Sequence, residues 1–242
     1  MRPERQGPAR RRARARIDTE KRGDGMKRTV LAALIALGAA SCASRIRTDY
    51  YLIDTEPSPP RAAERLPLTV AVNNVRAPSR YLDQMNYRAP GLRAGFYEYS
   101  RWMEPPAEMV QRALCHALRQ SGLFEKADPS NGAWNPDLVL QCTILAFDQV
   151  REKDGEYAEC ALAMELVQRE KGNAVWSKEL RVRVPQERRG GFAEAMSEAV
   201  AKTLAEAVGD MAESAELRKL AKDALRAASV PPTAPLTPPT AP

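Results

Sequence analysis

Four cysteines, one histidine and a handful of clustered charges are the residues of this chain that could do chemistry. Cys42 is the most informative. It follows Met26-Lys27-Arg28 and the run Thr29 to Ser41, which is apolar and ends in small residues. A short cationic start, an apolar stretch and small residues before the cut describe a secretory signal. The apolar stretch is too short to span a bilayer core of about 30 Å as a helix. A cysteine directly after it is what a bacterial lipoprotein signal requires: the thiol takes a diacylglyceryl group and then becomes the new N-terminus. Ala39 stands where such signals most often carry Leu.

The other reactive residues form no recognisable constellation. Cys115, Cys142 and Cys160 show neither a CxxC pair nor Cys/His ligand spacing, so the sequence offers no metal site. An oxidising compartment permits disulfides, but three thiols cannot all pair within one chain. His116, the only histidine, falls inside an amphipathic helical pattern and reads as a surface or boundary residue. Nucleophilic catalysis needs a base and an orienting group in reach. There is no GxSxG, P-loop or GxGxxG pattern. Arg188-Arg189-Gly190-Gly191 precedes a helix, where a phosphate could bind, but a loop is the simpler reading. The acidic residues from Glu152 to Glu159 read as a solvated hairpin tip. The residues point to a binding or scaffold protein, not an enzyme, with no cofactor.

Charge supports the same view. The sequence pI near 9.2 is misleading. Nine Lys/Arg and four Asp/Glu lie in residues 1–25, and Lys27 and Arg28 add two positive charges. Of the chain's +6, the part from Cys42 onward therefore holds −1. The usual inference from basicity to nucleic acid does not apply to that part. Residues 1–25 lack apolar periodicity and are expected to be a disordered extension or a start codon placed too early. Residues 26–41 are then the signal, 42–49 a tether, 50–228 one domain, and 229–242 a disordered Pro-rich tail.

The elements that must position any site follow from periodicity. Tyr50 to Asp54 reads as a first strand and Leu66 to Val75 as a second, with Leu68, Val70 and Val72 on one face. Residues 76–92 read as a loop around Pro78 and Pro90. Gly95 to Tyr99 is an aromatic strand. Pro105-Pro106 opens a helix with the stripe Val110, Ala113, Leu114, Ala117 and Leu118, ended by Gly122. Leu123-Phe124 starts a short strand. Three strands then alternate around Leu138–Ala146, Cys160–Leu166 and Trp176–Val184. A loop of Lys153-Asp154-Gly155, with Gly155 left-handed, sets Cys142 opposite Leu166, Ile144 opposite Met164 and Ala146 opposite Leu162. That register keeps Cys160 near Asp148 and disfavours a Cys142–Cys160 bridge. A two-residue turn would bury Glu165 beside Ile144. A long helix follows with the stripe Phe192 to Met211, which Gly209 is expected to interrupt, and a weaker stripe runs from Leu217 to Leu225. The fold class is α+β: a two-layer domain, mostly antiparallel sheet with two to three helices packed on one face.

Between Tyr50 and Phe124 several motifs recur in order. Tyr-Tyr-Leu at 50–52 is followed by Val70-Ala71-Val72 and by Pro78-Ser79-Arg80-Tyr81-Leu82-Asp83. Arg101-Trp102-Met103-Glu104-Pro105 then precedes a helix closing Ser121-Gly122-Leu123-Phe124. This pattern resembles the ABC-type transport auxiliary lipoproteins, of the paraquat-inducible protein C type, and extends more loosely through the meander and the long helix. Gln84-Met85-Asn86-Tyr87-Arg88 departs from it, where Arg, an apolar pair and Arg are usual.

The resemblance implies a non-catalytic, periplasm-facing lipoprotein. It would serve an ABC/MCE-type (mammalian-cell-entry) phospholipid transport system by docking onto an MCE-domain protein beside the ABC permease and ATPase. The alternative is a lipid carrier with its own apolar cavity. Ala43 after the acylated cysteine, in place of Asp, favours the outer membrane by the usual sorting rule. Self-assembly into a homo-oligomeric ring is compatible with this reading. Candidate contact residues are Tyr81, Leu82, Asp83, Tyr97, Arg101 and Trp102. The loop at 79–90 with Tyr81 is the favoured contact, because loops carry function on a rigid scaffold. For Trp102 the favoured reading is a cap on the core where strand meets helix, with Arg101 and Glu104 pairing locally.

Overall fold

The structure is a computed structural model that describes residues 47–55, 57–130, 134–187 and 191–229. The extension, the signal, Cys42, Arg188-Arg189-Gly190 and the tail from Val230 lie outside the described residues.

Among the described residues, eight strands form one mixed sheet, and three helices pack on it. In chain order these are β1 (Asp49–Tyr51), β2 (Leu66–Val72), β3 (Gln84–Ala89), β4 (Arg93–Trp102), α1 (Pro106–Ser121) and β5 (Phe124–Pro129). Then come β6 (Leu138–Arg151), β7 (Glu156–Gln168), β8 (Ala174–Pro185), α2 (Phe192–Glu213) and α3 (Ala215–Ala228). The expected α+β class holds. The long pairings β6–β7, β7–β8 and β3–β4 are antiparallel, and the shorter joins to β1, β2, β3 and β5 are parallel.

β6 organises the sheet. One of its edges carries β7 along its whole length. The other edge is shared: β2 pairs with Leu138–Leu140 at its start, and β3 pairs with Asp148–Val150 at its end. Between these two joins the chain runs as a loop with one isolated β-bridge, Arg76 to Thr143.

The helices follow from their apolar stripes. On α1, Val110, Ala113, Leu114, Ala117 and Leu118 are all buried, and Gly122 closes the helix at φ 64°, a left-handed cap that suits glycine. On α2 the whole stripe from Phe192 to Met211 is buried. Each fully buried Leu or Met of such a face contributes about 1.5–3 kcal/mol relative to exposure. Gly209 does not interrupt α2. The break comes at Ser214, whose side-chain oxygen accepts from the Leu217 amide and caps α3.

Two strand expectations need correction. The 76–92 segment is not all loop, since β3 occupies Gln84–Ala89. Met85, Tyr87 and Ala89 alternate with Asn86 and Arg88, so the strand is amphipathic, and the flanking prolines obscured it. The meander register also differs. Cys142 lies opposite Met164 and Ile144 opposite Leu162, two residues from expectation, and Ala146 lies opposite Ala161. The hairpin closes with Glu152 N–H donating to Gly155 at 2.8 Å, and Gly155 has no positive φ. This tight turn gives the tip the parity that would bury Glu165 beside Ile144. A β-bulge between Ile144 and Ala146 restores the apolar face below it, and Glu165 instead faces Gln141.

Candidate functional site

The motif-bearing loop is sewn to β6. Asn73 N–H donates to Leu140, Arg76 N–H to Cys142, and Ile144 N–H to Arg76, at 2.8–3.0 Å. A turn then closes with Tyr81 N–H on the Pro78 carbonyl at 2.9 Å. Tyr81 is buried, 1 % exposed, and its ring meets Phe147 edge-on at 6.4 Å between centroids. Its hydroxyl donates to Asp148 Oδ2 at 2.7 Å and accepts from Arg80 Nη2 at 3.0 Å. Arg80 stacks over the ring and reaches the carbonyl of Leu145, within the bulge. Asn86 Nδ2 ties the loop from outside by donating to the Arg80 and Gln84 carbonyls. Burial first, then the Asp148 charge, pushes the Tyr81 phenol up to about 12.

These contacts sort the candidate residues. Tyr81 and Trp102 are interior, each 1 % exposed, so they belong to the scaffold beneath the loop. Trp102 packs on Phe147 and Phe192 at 5.5 and 5.8 Å. Its indole N–H is buried without a hydrogen-bond acceptor. Tyr97 is half-buried: its hydroxyl bonds Gln149 Oε1 at 2.5 Å and accepts from Arg151 at 2.9 Å, and its ring lies edge-on to Tyr87. Tyr87 in turn covers Gly95, where a Cβ would come within 2.6 Å of its hydroxyl.

Leu82 and Asp83 are the presented residues. Leu82 is 63 % exposed on the loop crest. The Asp83 carbonyl accepts from Trp102 N–H at 2.7 Å, and its carboxylate meets Arg101 at 3.6 Å. Arg101 therefore pairs with Asp83 and not with Glu104, which pairs with Arg112 at 2.5 Å. Five of the six candidates thus converge, a crest of Leu82, Asp83 and Arg101 standing on Tyr81 and Trp102, while Tyr97 sits apart with Gln149 and Arg151.

The reading of the residues missed a charge cluster on the sheet face away from the helices. Glu159 is fully buried, not a solvated tip residue. It accepts from Arg88, from Arg181 at 2.5 Å and from Arg183 at 2.5 Å. Arg88 also bonds Asp148 at 3.0 Å and so joins this cluster to Tyr81. Burial raises the Glu159 carboxyl, but the bond from Arg183 and the three guanidinium charges outweigh that and hold it below the ordinary carboxylate range. Arg181 and Arg183 alternate with Leu180, Val182 and Val184, a pattern that places two cations on the outward face of β8. Their convergence on Glu159 depends on strand register.

His116 is exposed on α1. Among the described residues no group of three or more His, Cys, Asp or Glu could hold a metal ion, and no helix is long and apolar enough to cross a membrane.

The fold has solved counterparts. Protein XCC0632 from Xanthomonas campestris matches with a TM-score of 0.63 at 17 % identity, over 71 % of this chain and 99 % of that one. An uncharacterised protein matches with a TM-score of 0.52 at 14 % identity, over 72 % of this chain and 99 % of that one. At such identities the likeness is one of fold alone. No curated protein matches the sequence. The profile described as ABC-type transport auxiliary lipoprotein component matches residues 50–209, which takes in every strand from β2 to β8, α1 and most of α2. This chain belongs to the ABC-type transport auxiliary lipoprotein family.

Proposed function

We propose that this protein is acylated on Cys42, anchored in the outer membrane on its periplasmic face, and serves an ABC/MCE-type phospholipid transporter as a docking component. The observation that carries this reading is the family match over residues 50–209, joined to a loop crest held rigidly from beneath. Leu82 supplies an exposed apolar contact, and Asp83 and Arg101 supply a paired charge that can orient a partner. The partner is an MCE-domain protein of the same transporter.

The carrier alternative has less support. The grooves between elements, of about 310 to 570 Å³, open to solvent. The small residues Ala195, Ala199 and Ala207 of α2 are buried, and they let helix and sheet approach closely.

Co-purification tests the docking reading. The acylated wild-type protein retains the MCE-domain partner through detergent extraction. Leu82→Asp, or Asp83→Arg alone, abolishes retention while the domain keeps its thermal midpoint. Normal retention by both variants would remove the crest as the contact. Lipid in an organic extract of the purified domain would revive the carrier reading.

A further inference from the structure

A second exposed surface lies beside the crest and is not needed for it. The end of β4 is flanked by two segments. On one side Trp102 N–H binds the Asp83 carbonyl, and on the other Met103 N–H binds the Tyr51 carbonyl at 2.8 Å. That second side belongs to β1, an edge strand of only three residues that pairs in parallel with Ser100–Trp102. It presents Tyr50 at 59 %, Met103 at 58 % and Leu52 at 50 % exposure. Tyr51 and Leu52 continue this surface to the rim of a groove against α2, about 570 Å³ in volume, whose far side carries Glu194, Ser197 and Glu198.

Exposed edges are normally blunted with charge, because an apolar edge invites aggregation. Here β1 opens on Asp49, but the exposed residues that follow it are two tyrosines and then Leu52. Tyrosine, with an apolar ring and a polar tip, suits the boundary between lipid and water.

We infer that the β1 edge, through Tyr50, Leu52 and Met103, rests on the phospholipid surface that holds the anchor. Chain length argues for this occupant. Seven peptide steps separate Cys42 from Asp49. Fully extended, they reach roughly 25 Å, and as a flexible chain they average about 15 Å. The edge is therefore confined close to the headgroups, at an effective concentration where a few side chains suffice to bind. The inference rests on acylation of Cys42.

The acylated protein in phosphatidylethanolamine–phosphatidylglycerol vesicles provides the test. Single cysteines placed at Leu52, Met103 or, as a control, Lys219 carry an environment-sensitive fluorophore. The native thiols of Cys115, Cys142 and Cys160 are buried, and burial pushes all three up, Cys142 and Cys160 to about 12, so they do not compete. Nitroxide lipids with the spin label at shallow depth quench the probes. A side chain seated in the interface lies about 5–10 Å deep, so quenching at 52 and 103 exceeds that at 219 at least about threefold. Equal quenching at all three positions overturns the inference and leaves the anchor intact. If palmitate fails to label the wild-type chain, the anchor fails, and this inference fails with it.

Discussion

Tyr81 and Asp148 stand 67 residues apart in sequence, yet the phenol donates to the carboxylate at 2.7 Å inside the protein. This bond fastens the motif-bearing loop to the middle strand of the sheet. Asp148 also accepts from Arg88, so it is not orphaned if the phenol is lost.

Tyr81→Phe removes one buried hydrogen bond and leaves the packing of the ring unchanged. The expected loss is about 1–2 kcal/mol, measured by urea unfolding. The pH dependence follows from the raised phenol. The fold favours neutral Tyr81, so its contribution is complete below the unfolded value near 10 and fades as pH rises towards about 12. Wild-type protein loses stability over that window, and the phenylalanine variant loses less. Parallel losses in the two proteins would refute the assignment.

Glu159→Gln leaves Arg88, Arg181 and Arg183 without their shared counter-charge. Because those arginines are half-solvated, the expected cost is about 2–4 kcal/mol, below the extreme for a broken buried pair. Glu159 is held below its ordinary range, so it stabilises the fold above the unfolded carboxylate value. That contribution is lost as pH falls through the folded value. Acid titration followed by circular dichroism should show the wild type losing stability in that range, with the glutamine variant flatter. Identical acid midpoints at matched starting stability would count against the cluster.

Trp102→Phe sacrifices no hydrogen bond within the described residues, because the indole N–H has no acceptor among them. It costs about 1–2 kcal/mol as a partial cavity, whereas Trp102→Ala costs about 3–5 kcal/mol. Calorimetric midpoints separate the two. A phenylalanine variant as unstable as the alanine one would mean that the indole N–H does work the packing does not explain.

Much of this was readable from the chain because burial imposes period on sequence. The α1 and α2 stripes and the three alternating strands are products of one buried face each. What escaped depends on events without a periodic signature. The bulge beside Leu145 is a single extra residue, and it decides which face every later side chain of β6 takes. Glu159 looks like any surface carboxylate until β8 brings Arg183 directly opposite. The candidate contacts split for a similar reason. Aromatic residues in a motif signal value to the fold, and only tertiary placement separates Tyr81, which supports, from Leu82, which protrudes.

The shared edge of β6 has a mechanical consequence. Its two ends belong to different neighbours, β2 and β3, and the stretch between them is stitched only by the loop that bears the crest. A pull on Leu82 is therefore carried into β6 at two points, at Cys142 through Arg76 and at Asp148 through Tyr81. The crest is a handle riveted twice to one strand, so a load on it is shared between the end of β6 that holds β2 and the end that holds β3.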